Sequence, residues 1–320
     1  MAEIWAVILA AGKSTRMKSD RPKVLYDVCG RPMLSYVLDA CRAAGAKKLL
    51  VVVGHGRELV MEAFRGQPDI EWVHQAEQRG TGHAVLVCRE RLQGFAGHVL
   101  VLYGDGPCIK VSTLELLLRC HEETGAAATL LTAIWENPPA YGRIVRDDRG
   151  ALAGIVEFRD STPAQAAITE VNPGYYCFRA PDLLWALERL DNKNAKNEYY
   201  LTDTIGLLIR DGRRVEGLPG ASPEEITAAN SRAELLDVAR VIHRRIVEFH
   251  LANGVTIVDP ETTFIDGRAT IGQDTVIRPL TVIGSAQIGR NCRIGPLTRV
   301  CDGASVPDGT QVGSFVEVGA

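Results

Sequence analysis

The first two thirds of the chain alternate short hydrophobic runs with stretches in which hydrophobic positions recur at helical spacing. The runs are AVILA, LLVVVG, IEWVHQ and HVLVLYGD, and the helical stretches cover 33–44 and a segment near 82–92. This alternation predicts βαβ units and a mostly parallel sheet with helices on both faces. Because ligands of such sheets bind beyond the carboxyl ends of the strands, the chemistry is expected in the loops AAGKSTR, GHGRE, QAEQRGTGHA and GDGPC.

One long amphipathic helix is predicted after this region. Its hydrophobic positions recur at steps of four and three residues: Leu235, Ala239, Ile242, Ile246 and Phe249. Ser231 followed by Glu234 supplies a capping-box start, and Asn253 with Gly254 supplies a stop. We interpret residues 231–254 as a helical connector that follows an α/β domain over residues 1–230.

Beyond the connector the hydrophobic period changes to six. The residues in this register are Ile265, Ile271, Ile277 and Ile283, then, after one five-residue step, Ile288, Ile294, Val300, Val306, Val312 and Val318. An α-helix cannot keep this period, whereas a hexapeptide-repeat β-helix points one aliphatic residue inward from each side of a triangular prism. Residues 255–320 are therefore predicted to form a short β-helix of roughly three coils. The alternative is a plain antiparallel β domain.

A glycine loop follows the first predicted strand, in the segment ILAAGKSTRMK at 8–18. The Gly-Lys-Ser triplet suggests a common phosphate-binding loop, but that motif requires a glycine where this chain has Val7. A dinucleotide fingerprint also fails, because Gly12 is the only glycine before Gly30. The sequence thus leaves a phosphate loop of another kind.

Composition and charge exclude several classes of function and partner. The 320 residues are 46% hydrophobic and 23% charged, with a net charge of -3, as expected of a globular chain with two domains. The absence of a basic stripe argues against a nucleic-acid polymer as partner. Eight cysteines without a C-x-x-C pair fit reduced thiols, and no export signal or membrane span is recognised. We expect a cytoplasmic protein that does not bind membranes.

Eight strings in one order resemble a known family. They are LAAGKSTRM with RPKVL, QRGTGHA, LYGDGP, YGRIV, IVEFRD, EVNPG, KNEYYLTD and AANSR, followed by the hexapeptides. They resemble the bacterial N-acetylglucosamine-1-phosphate uridylyltransferases across nearly the whole chain. The resemblance implies a nucleotidyltransferase domain with a Rossmann-like sheet, a helical arm and a left-handed β-helix, usually trimeric. It also implies synthesis of UDP-N-acetylglucosamine, a peptidoglycan precursor, and a second activity, acetyl transfer, in the distal β-helix.

The residues themselves support phosphoryl chemistry. A sugar 1-phosphate must attack the α-phosphorus of a nucleoside triphosphate while pyrophosphate leaves, so two anions have to approach each other. Cationic side chains, backbone N–H groups and a hard divalent ion lower that barrier. Arg16 and Lys23, on and after the glycine loop, are expected to meet the triphosphate. Asp105, just past the strand HVLVLY, is expected to hold Mg²⁺.

The resemblance assigns further roles. The positions that match nucleotide-binding residues are Leu9, Ala10, Ala11, Gly12, Lys23, Gln75, Gly80 and Thr81, of which the last three contact uracil. The positions that match sugar-binding residues are Tyr103, Gly142, Glu157 and Asn172. Asp105 and Asn230 match the Mg²⁺ ligands.

Each assignment has a structural alternative. Arg16 and Lys23 are solvated charges in the simplest interpretation, and Asp105 caps a turn. Asn230 could cap the connector helix in place of Ser231, and Glu157 could pair with Arg159. His83 is interpreted as a helix-start residue without a catalytic role, because the attacking phosphate is already ionised and needs no general base.

The chain departs from the family at three positions. Ser14 stands where a second loop glycine is usual, Pro173 where a small hydroxylated residue is common, and Cys301 where the acetyltransferase site has an arginine. The repeats end before the remaining coils of that site, so we expect no acetyl transfer. Two other functions stay open: a nucleotidyltransferase for another base or hexose, and a non-catalytic regulatory subunit.

Overall fold

The computed structural model describes residues 2–319, which divide into two units. The first contains the residues up to Leu25 together with Met33–Asn230, and the second contains Tyr26–Pro32 together with the residues from Ser231 onward. No helix within 2–319 is both long and apolar enough to cross a membrane. The sequence-based ranges 1–230, 231–254 and 255–320 stay a prediction, and their outer ends, residues 1 and 320, lie outside the described range.

Ten strands form the sheet of the first unit. In chain order they are β1 (Ile4–Ala10), β2 (Lys48–Val53), β3 (Ile70–His74), β4 (His98–Tyr103), β5 (Ala128–Ile134), β6 (Gly142–Arg146), β7 (Leu152–Val156), β8 (Glu170–Asn172), β9 (Tyr176–Arg179) and β10 (Val215–Pro219). Their order across the sheet is β3-β2-β1-β4-β9-β5-β8-β6-β7, and β10 pairs with β5. The strands β1 to β4 pair in parallel, as predicted.

The antiparallel part of this sheet is a finding that the sequence pattern did not indicate. Strand β9 inserts between β4 and β5 and runs antiparallel to both. Strands β6, β7 and β8 then pair antiparallel at one edge. This edge carries Gly142, Glu157 and Asn172 on its strands or immediately after them, so the antiparallel region places the predicted sugar-binding positions.

Helices cover both faces of the sheet. Those of the first unit are α1 (Met33–Ala43), α2 (Arg57–Ala63), α3 (Thr81–Leu86), α4 (Arg89–Leu92), α5 (Val111–Thr124), α6 (Pro163–Ala166), α7 (Ala180–Leu187) and α8 (Asp203–Arg210). Successive residues of β1 alternate between two buried cores: Ala6 and Ile8 pack with α1 and α5, whereas Val7 and Leu9 pack with α3 and α7. The helix predicted near 82–92 is two short helices, α3 and α4, separated by Val87 and Cys88.

The second unit contains the predicted β-helix. Its two-residue strands are Thr256–Ile257, Phe264–Ile265, Thr270–Ile271, Val276–Ile277, Val282–Ile283, Gln287–Ile288, Arg293–Ile294, Arg299–Val300, Ser305–Val306, Gln311–Val312 and Glu317–Val318. They stack in parallel as three separate sheets, one for each side of the prism. Nine of the ten aliphatic residues of the six-residue register form one core at 0–9% exposure, and the tenth, Val318, is half-buried against it. The inward register and the β-helix are therefore confirmed, and the antiparallel alternative is wrong.

Helix α9 (Arg232–Ala252) also belongs to this unit, with a two-stranded ribbon formed by Asp27–Val28 and Arg31–Pro32. The hydroxyl of Ser231 accepts a hydrogen bond from the Glu234 N–H at 3.2 Å, so Ser231 caps the helix as predicted. The predicted hydrophobic stripe is partly wrong: Phe249 is 62% exposed, and Val247 packs on the β-helix core instead. Ala252 is the last helical residue, and Asn253 is the C-cap.

Candidate active site

A first cavity of about 240 Å³ lies at the carboxyl ends of β1, β3 and β4. All eight predicted nucleotide-binding residues line it, from the loop after β1 and from the start of α3. Two polar residues that the sequence reasoning missed, Gln78 and Glu198, line it as well, together with the apolar Val24 and Ala84. The structure thus brings together residues that are distant in sequence, because the ends of parallel strands meet at one edge of the sheet.

A second cavity of about 260 Å³ adjoins it. Its lining includes all four predicted sugar-binding residues, from β4, β6, β7 and β8 or the turns after them, and the predicted metal ligand Asn230. Lys23, Tyr103 and Asp105 line both cavities. Two anionic groups that bind one in each cavity would therefore meet at these three side chains.

The Lys23 ammonium lies between two oxygen ligands at this junction. Its Nζ forms an ion pair with Oδ2 of the buried Asp105 and donates a hydrogen bond to Asn230 Oδ1 at 2.9 Å. The backbone carbonyl of Asp105 also accepts from the N–H of Ala229, which holds the segment before Asn230 against the end of β4. Since Ser231 is the residue that caps α9, the Asn230 side chain is available for this role.

The donor set at this point fits a hard divalent cation. The carboxylate of Asp105 and the amide oxygen of Asn230 converge on one position, which the Lys23 ammonium occupies as a stand-in cation. Mg²⁺ prefers oxygen ligands and commonly takes one or two from the protein and the rest from phosphates and water. Within residues 2–319 no cluster of three or more His, Cys, Asp or Glu side chains could hold a metal by itself. Asp105 and Asn230 would therefore hold the ion together with a bound phosphate.

The glycine loop is closed by a serine rather than by a second glycine. Ser14 has φ 56° and ψ 28°, the left-handed conformation that glycine adopts most readily. Its hydroxyl donates to the Gly12 carbonyl at 3.3 Å and accepts from the backbone N–H of Lys23 at 3.1 Å. These two hydrogen bonds offset the backbone strain of Ser14 and connect the glycine loop to the segment that carries Lys23.

Arg16 is the one predicted site residue that lines neither cavity. It is exposed on a single turn of 3₁₀ helix, Thr15–Met17, and no side-chain hydrogen bond or ion pair of Arg16 is present within residues 2–319. The turn that carries the Arg16 guanidinium begins three residues after Gly12 in the sequence. Its contact with a triphosphate stays a prediction.

Substitution of Ser14 separates the effect of its hydroxyl hydrogen bond from the effect of its backbone strain. Ser14→Ala removes the Lys23 hydrogen bond and keeps the left-handed strain, so we expect kcat/KM to fall by roughly fivefold, equivalent to about 1 kcal/mol. Ser14→Gly loses the same bond but relieves strain of about 1 kcal/mol, so its kcat/KM should stay within about twofold of wild type. Steady-state pyrophosphate release measures both. Equal rates in wild type and Ser14→Ala would contradict the role of the hydroxyl.

The wall between the cavities depends on two glycines. Gly80, with φ 110°, stands against the backbone of Tyr199, and a side chain there would collide with the Tyr199 carbonyl. Gly174, with φ 87°, stands against the ring of Tyr103 in the same way. Burial of the phenol raises the pKa of Tyr103, and a side-chain hydrogen bond with Thr81 opposes that rise. These contacts fix the ring of Tyr103 where the two cavities meet.

Glu157 is held by a hydroxyl and not by the neighbouring arginine. Thr202 Oγ1 donates to Glu157 Oε1 at 3.0 Å, and no ion pair joins Glu157 to Arg159 in the described part of the chain. Burial raises the pKa of Glu157, whereas the Thr202 hydrogen bond opposes that rise. A half-buried carboxylate with one free oxygen suits the recognition of a ligand hydroxyl or amide. Sequence reasoning missed Thr202, although the string KNEYYLTD contains it.

Asn172 is oriented by its own turn. Its Oδ1 accepts from the Gly174 N–H at 3.1 Å, and its Nδ2 donates to the Tyr176 hydroxyl at 2.7 Å. Pro173 lies between these residues and lines the second cavity. Proline supplies neither a side-chain hydroxyl nor a backbone N–H there, so this part of the cavity presents carbon to a ligand.

Comparison with known proteins places the chain among nucleotidyltransferases. Residues 6–194 match the family described as MobA-like NTP transferase domain. The chain is similar to the bifunctional protein GlmU of Pelotomaculum thermopropionicum, with 47% identity over 99% of this chain and 76% of that protein. It is also similar to the bifunctional protein GlmU of Caldanaerobacter subterraneus subsp. tengcongensis, with 42% identity over 100% of this chain and 71% of that protein.

A solved structure shares the fold. The crystal structure of UDP-glucose pyrophosphorylase complexed with UDP-glucose superimposes with a TM-score of 0.63 and covers 77% of this chain and 100% of that chain. The identity is 19%, so this likeness concerns the fold alone. It supports the α/β architecture of the unit that carries both cavities.

Proposed function

Because the chain belongs to the family of the bifunctional protein GlmU and is a sugar-1-phosphate nucleotidyltransferase, we propose that it makes UDP-N-acetylglucosamine and pyrophosphate from UTP and N-acetylglucosamine 1-phosphate, with Mg²⁺. The observation that carries this proposal is the junction of the two cavities at Lys23, Tyr103 and Asp105. One cavity has the predicted nucleotide-binding lining and the other the predicted sugar-binding lining. Their shared wall is where an α-phosphate and a sugar phosphate would face each other.

The chain's own residues supply positioning and charge in this reaction. A phosphate oxygen of the sugar 1-phosphate forms a bond to the α-phosphorus, and the bond from that phosphorus to the pyrophosphate oxygen breaks in line. No proton has to be removed from the attacking group. The backbone of Ala10, Ala11 and Gly12 approaches the nucleotide closely because none of these residues carries a long side chain, and their loop opens on the cationic Lys23.

Asp105 and Asn230 are the residues that would hold the Mg²⁺ ion. When bound, the ion supplies positive charge that neutralises the phosphates and screens their mutual repulsion. The ammonium of Lys23 contacts the same two oxygen atoms. Its flexible four-carbon stem would allow it to reach a phosphate oxygen when Asp105 and Asn230 hold the ion.

The second cavity provides the groups that would recognise the sugar. The free oxygen of Glu157 accepts from a hydroxyl or from the N–H of an acetamido group, and the Asn172 amide lies on the same wall. A Cβ at Gly142 would lie 3.1 Å from Ile155 Cγ2, so a larger residue there would crowd the lining of this cavity. We propose that these three residues select an N-acetylated hexose.

A substrate panel tests the proposal. Purified protein is incubated with each of UTP, CTP, dTTP, ATP and GTP, combined with glucose 1-phosphate, glucosamine 1-phosphate or N-acetylglucosamine 1-phosphate, with and without Mg²⁺, and pyrophosphate is measured. We expect the highest kcat/KM for UTP with N-acetylglucosamine 1-phosphate and none without a divalent ion. Preference for another pair would support the alternative of a different base or hexose. Failure with every pair in a folded protein would support the regulatory subunit.

We also propose self-association through the β-helix, with a trimer as the expected state. Large apolar side chains are exposed on it: Phe264 at 58%, Leu280 at 52%, Val282 at 45%, Leu297 at 41% and Phe315 at 84%. Contact between copies would remove this surface from water, which is favourable. Light scattering at micromolar concentration should give three times the chain mass, and a monomer would contradict the proposal.

Acetyl transfer is proposed to be absent from these 320 residues. Cys301, at the position where the family resemblance leads one to expect an arginine, is half-buried and its thiol donates to Glu317 Oε1 at 3.3 Å. A carboxylate beside a neutral thiol does not bind an anionic substrate. In the same panel, glucosamine 1-phosphate with acetyl-CoA should release no free thiol above the rate without enzyme.

A further inference from the structure

Two acceptors, the Gly80 carbonyl and the His83 ring, face the side-chain amide of Gln75 in the first cavity. Gln75 follows β3 directly, is 3% exposed and is anchored by its backbone N–H on the Val53 carbonyl at 2.8 Å. Its Nε2 lies 3.2 Å from the carbonyl oxygen of Gly80. A carbonyl oxygen can only accept, so the amide atom that faces Gly80 must be the NH₂ group.

The second amide proton of Gln75 points to His83. Gln75 Nε2 lies 3.1 Å from His83 Nδ1, and this proton is donated to the Nδ1 lone pair. The imidazole is therefore neutral, with its own proton on Nε2. Burial and the nearby Arg79 lower the pKa of His83, which favours this neutral form. Both amide protons are thus used within the protein.

The position of His83 is itself fixed. It lies in the first turn of α3. The start of this helix is held by the Gly82 N–H, which donates a hydrogen bond to the Tyr199 carbonyl at 2.8 Å. The remaining polar atom of the pair is Gln75 Oε1, which accepts no hydrogen bond from any residue within 2–319. A ligand in the first cavity therefore meets an acceptor at this point.

We propose that His83 is a positioning residue that holds the Gln75 amide with its oxygen toward the nucleobase and thereby sets the preference for uracil over cytosine. Uracil carries an N–H donor at its ring nitrogen between two carbonyls, whereas cytosine carries a lone pair at the same nitrogen. A fixed Oε1 accepts a hydrogen bond from the uracil N–H and repels the lone pair of cytosine. Without the His83 acceptor, only the Gly80 carbonyl opposes rotation of the Gln75 amide by half a turn, which would turn the NH₂ group toward the base and serve cytosine equally well. This inference rests on the proposed uridylyl transfer and adds to it the residue that determines the base.

Three variants test it. His83→Phe keeps an aromatic ring but removes the Nδ1 acceptor, and His83→Asn restores an acceptor, because Asn Oδ1 is the same number of bonds from the backbone as His Nδ1. His74→Phe is the matched control: it makes the same change one residue before Gln75, in an exposed side chain whose Nδ1 contacts Arg57. The measured quantity is the ratio of kcat/KM for UTP to that for CTP, together with the affinity of each nucleotide by calorimetry.

We expect His83→Phe to lower the UTP to CTP ratio by about tenfold, the effect of one hydrogen bond. The change should be in KM and binding affinity more than in kcat, since the reacting phosphates are not touched. His83→Asn should return the ratio to within about threefold of wild type, and His74→Phe should leave it unchanged. His83→Ala replaces the phenylalanine variant if thermal unfolding shows that the ring does not fit.

The outcomes separate this inference from the proposed function. A wild-type protein that shows no preference for UTP over CTP in rate or affinity would overturn both. A wild type that prefers UTP, with the same ratio in folded His83→Phe, His83→Ala and His83→Asn, would overturn the role of His83 alone. A loss of ratio in His83→Phe that His83→Asn does not restore would also overturn it, because the acceptor would then not be the cause.

Discussion

Asp105→Ala is expected to lower kcat/KM for UTP-dependent pyrophosphate release by at least about a hundredfold, equivalent to roughly 3 kcal/mol of transition-state stabilisation. Asp105 is 7% exposed and supplies the one carboxylate of the junction between the two cavities. Removing it leaves Asn230 alone to hold the ion and leaves the Lys23 ammonium without its ion-pair partner. Steady-state rates at saturating Mg²⁺ measure the loss.

Asp105→Asn is the matched control because it keeps the size and one oxygen but removes the charge. If the carboxylate holds the ion, this variant should require a higher Mg²⁺ concentration for half-maximal rate and should bind Mn²⁺ more weakly when the ion is titrated directly. If Asp105 only positions Lys23, the metal dependence should stay as in wild type while kcat falls. Near wild-type turnover of Asp105→Ala with Mg²⁺ present would show that the assignment is wrong.

The fold could be predicted where a repeating pattern determines it. The six-residue register predicts the β-helix because each inward aliphatic must reach the same core, and Ile277, Ile294 and Val300 are fully buried in it. The antiparallel strands β6 to β9 could not be predicted, because their pairing depends on partners far away in the chain. Tyr176, for example, pairs with Val101 on one side and Leu130 on the other.

The candidate site, like the fold, could be predicted from the sequence only in part. Residues at the ends of parallel strands, such as Leu9, Gln75 and Asp105, could be chosen from sequence because strand ends meet at one edge. The contacts between them could not. Lys23 reaches Asp105 and Asn230 only through the folded sheet, and Thr202 reaches Glu157 across 45 residues. The sequence interpretation treats His83 as a helix-start residue because the reaction needs no general base, and its contact with the Gln75 amide is visible only in the structure.

A buried histidine far from the site predicts a second large effect, on stability. His121, in the last turn of α5, is 1% exposed, and its Nδ1 lies 2.9 Å from the Thr129 hydroxyl. Its Nε2 is buried without a partner within residues 2–319. The ring of His98 stands edge-on to it, with centroids 4.6 Å apart. Burial, then the neighbouring His98 and Arg179, lower the pKa of His121 from 6.5 to about 3.

The sign of the pH effect follows from linkage. Below pH 6.5 the unfolded chain protonates His121 whereas the native protein does not until about pH 3, so stability falls as the pH falls across that range. This one group should cost about 2 kcal/mol of unfolding free energy between pH 7 and pH 5, and roughly 4 kcal/mol by pH 3. His98, whose pKa burial also lowers, adds to the loss. Asp203 opposes it, because burial raises the pKa of its carboxyl to about 6.

Because of these opposing groups, the test compares a variant with wild type instead of reading the wild-type curve alone. His121→Leu removes the titrating ring and its unpartnered Nε2. Between pH 7 and pH 5, the unfolding free energy of wild type should therefore fall by about 2 kcal/mol more than that of the variant. Urea unfolding followed by tryptophan fluorescence reports on the correct unit, since Trp5, Trp72, Trp135 and Trp185 all belong to the first unit. His55→Leu is the control, because that side chain is exposed in the native protein and in the unfolded chain alike. If the unfolding free energies of wild type and His121→Leu depended equally on pH, the pKa of His121 would be the same in the native and unfolded states. That result would contradict the prediction, which rests on the burial of a ring whose Nε2 has no partner within residues 2–319.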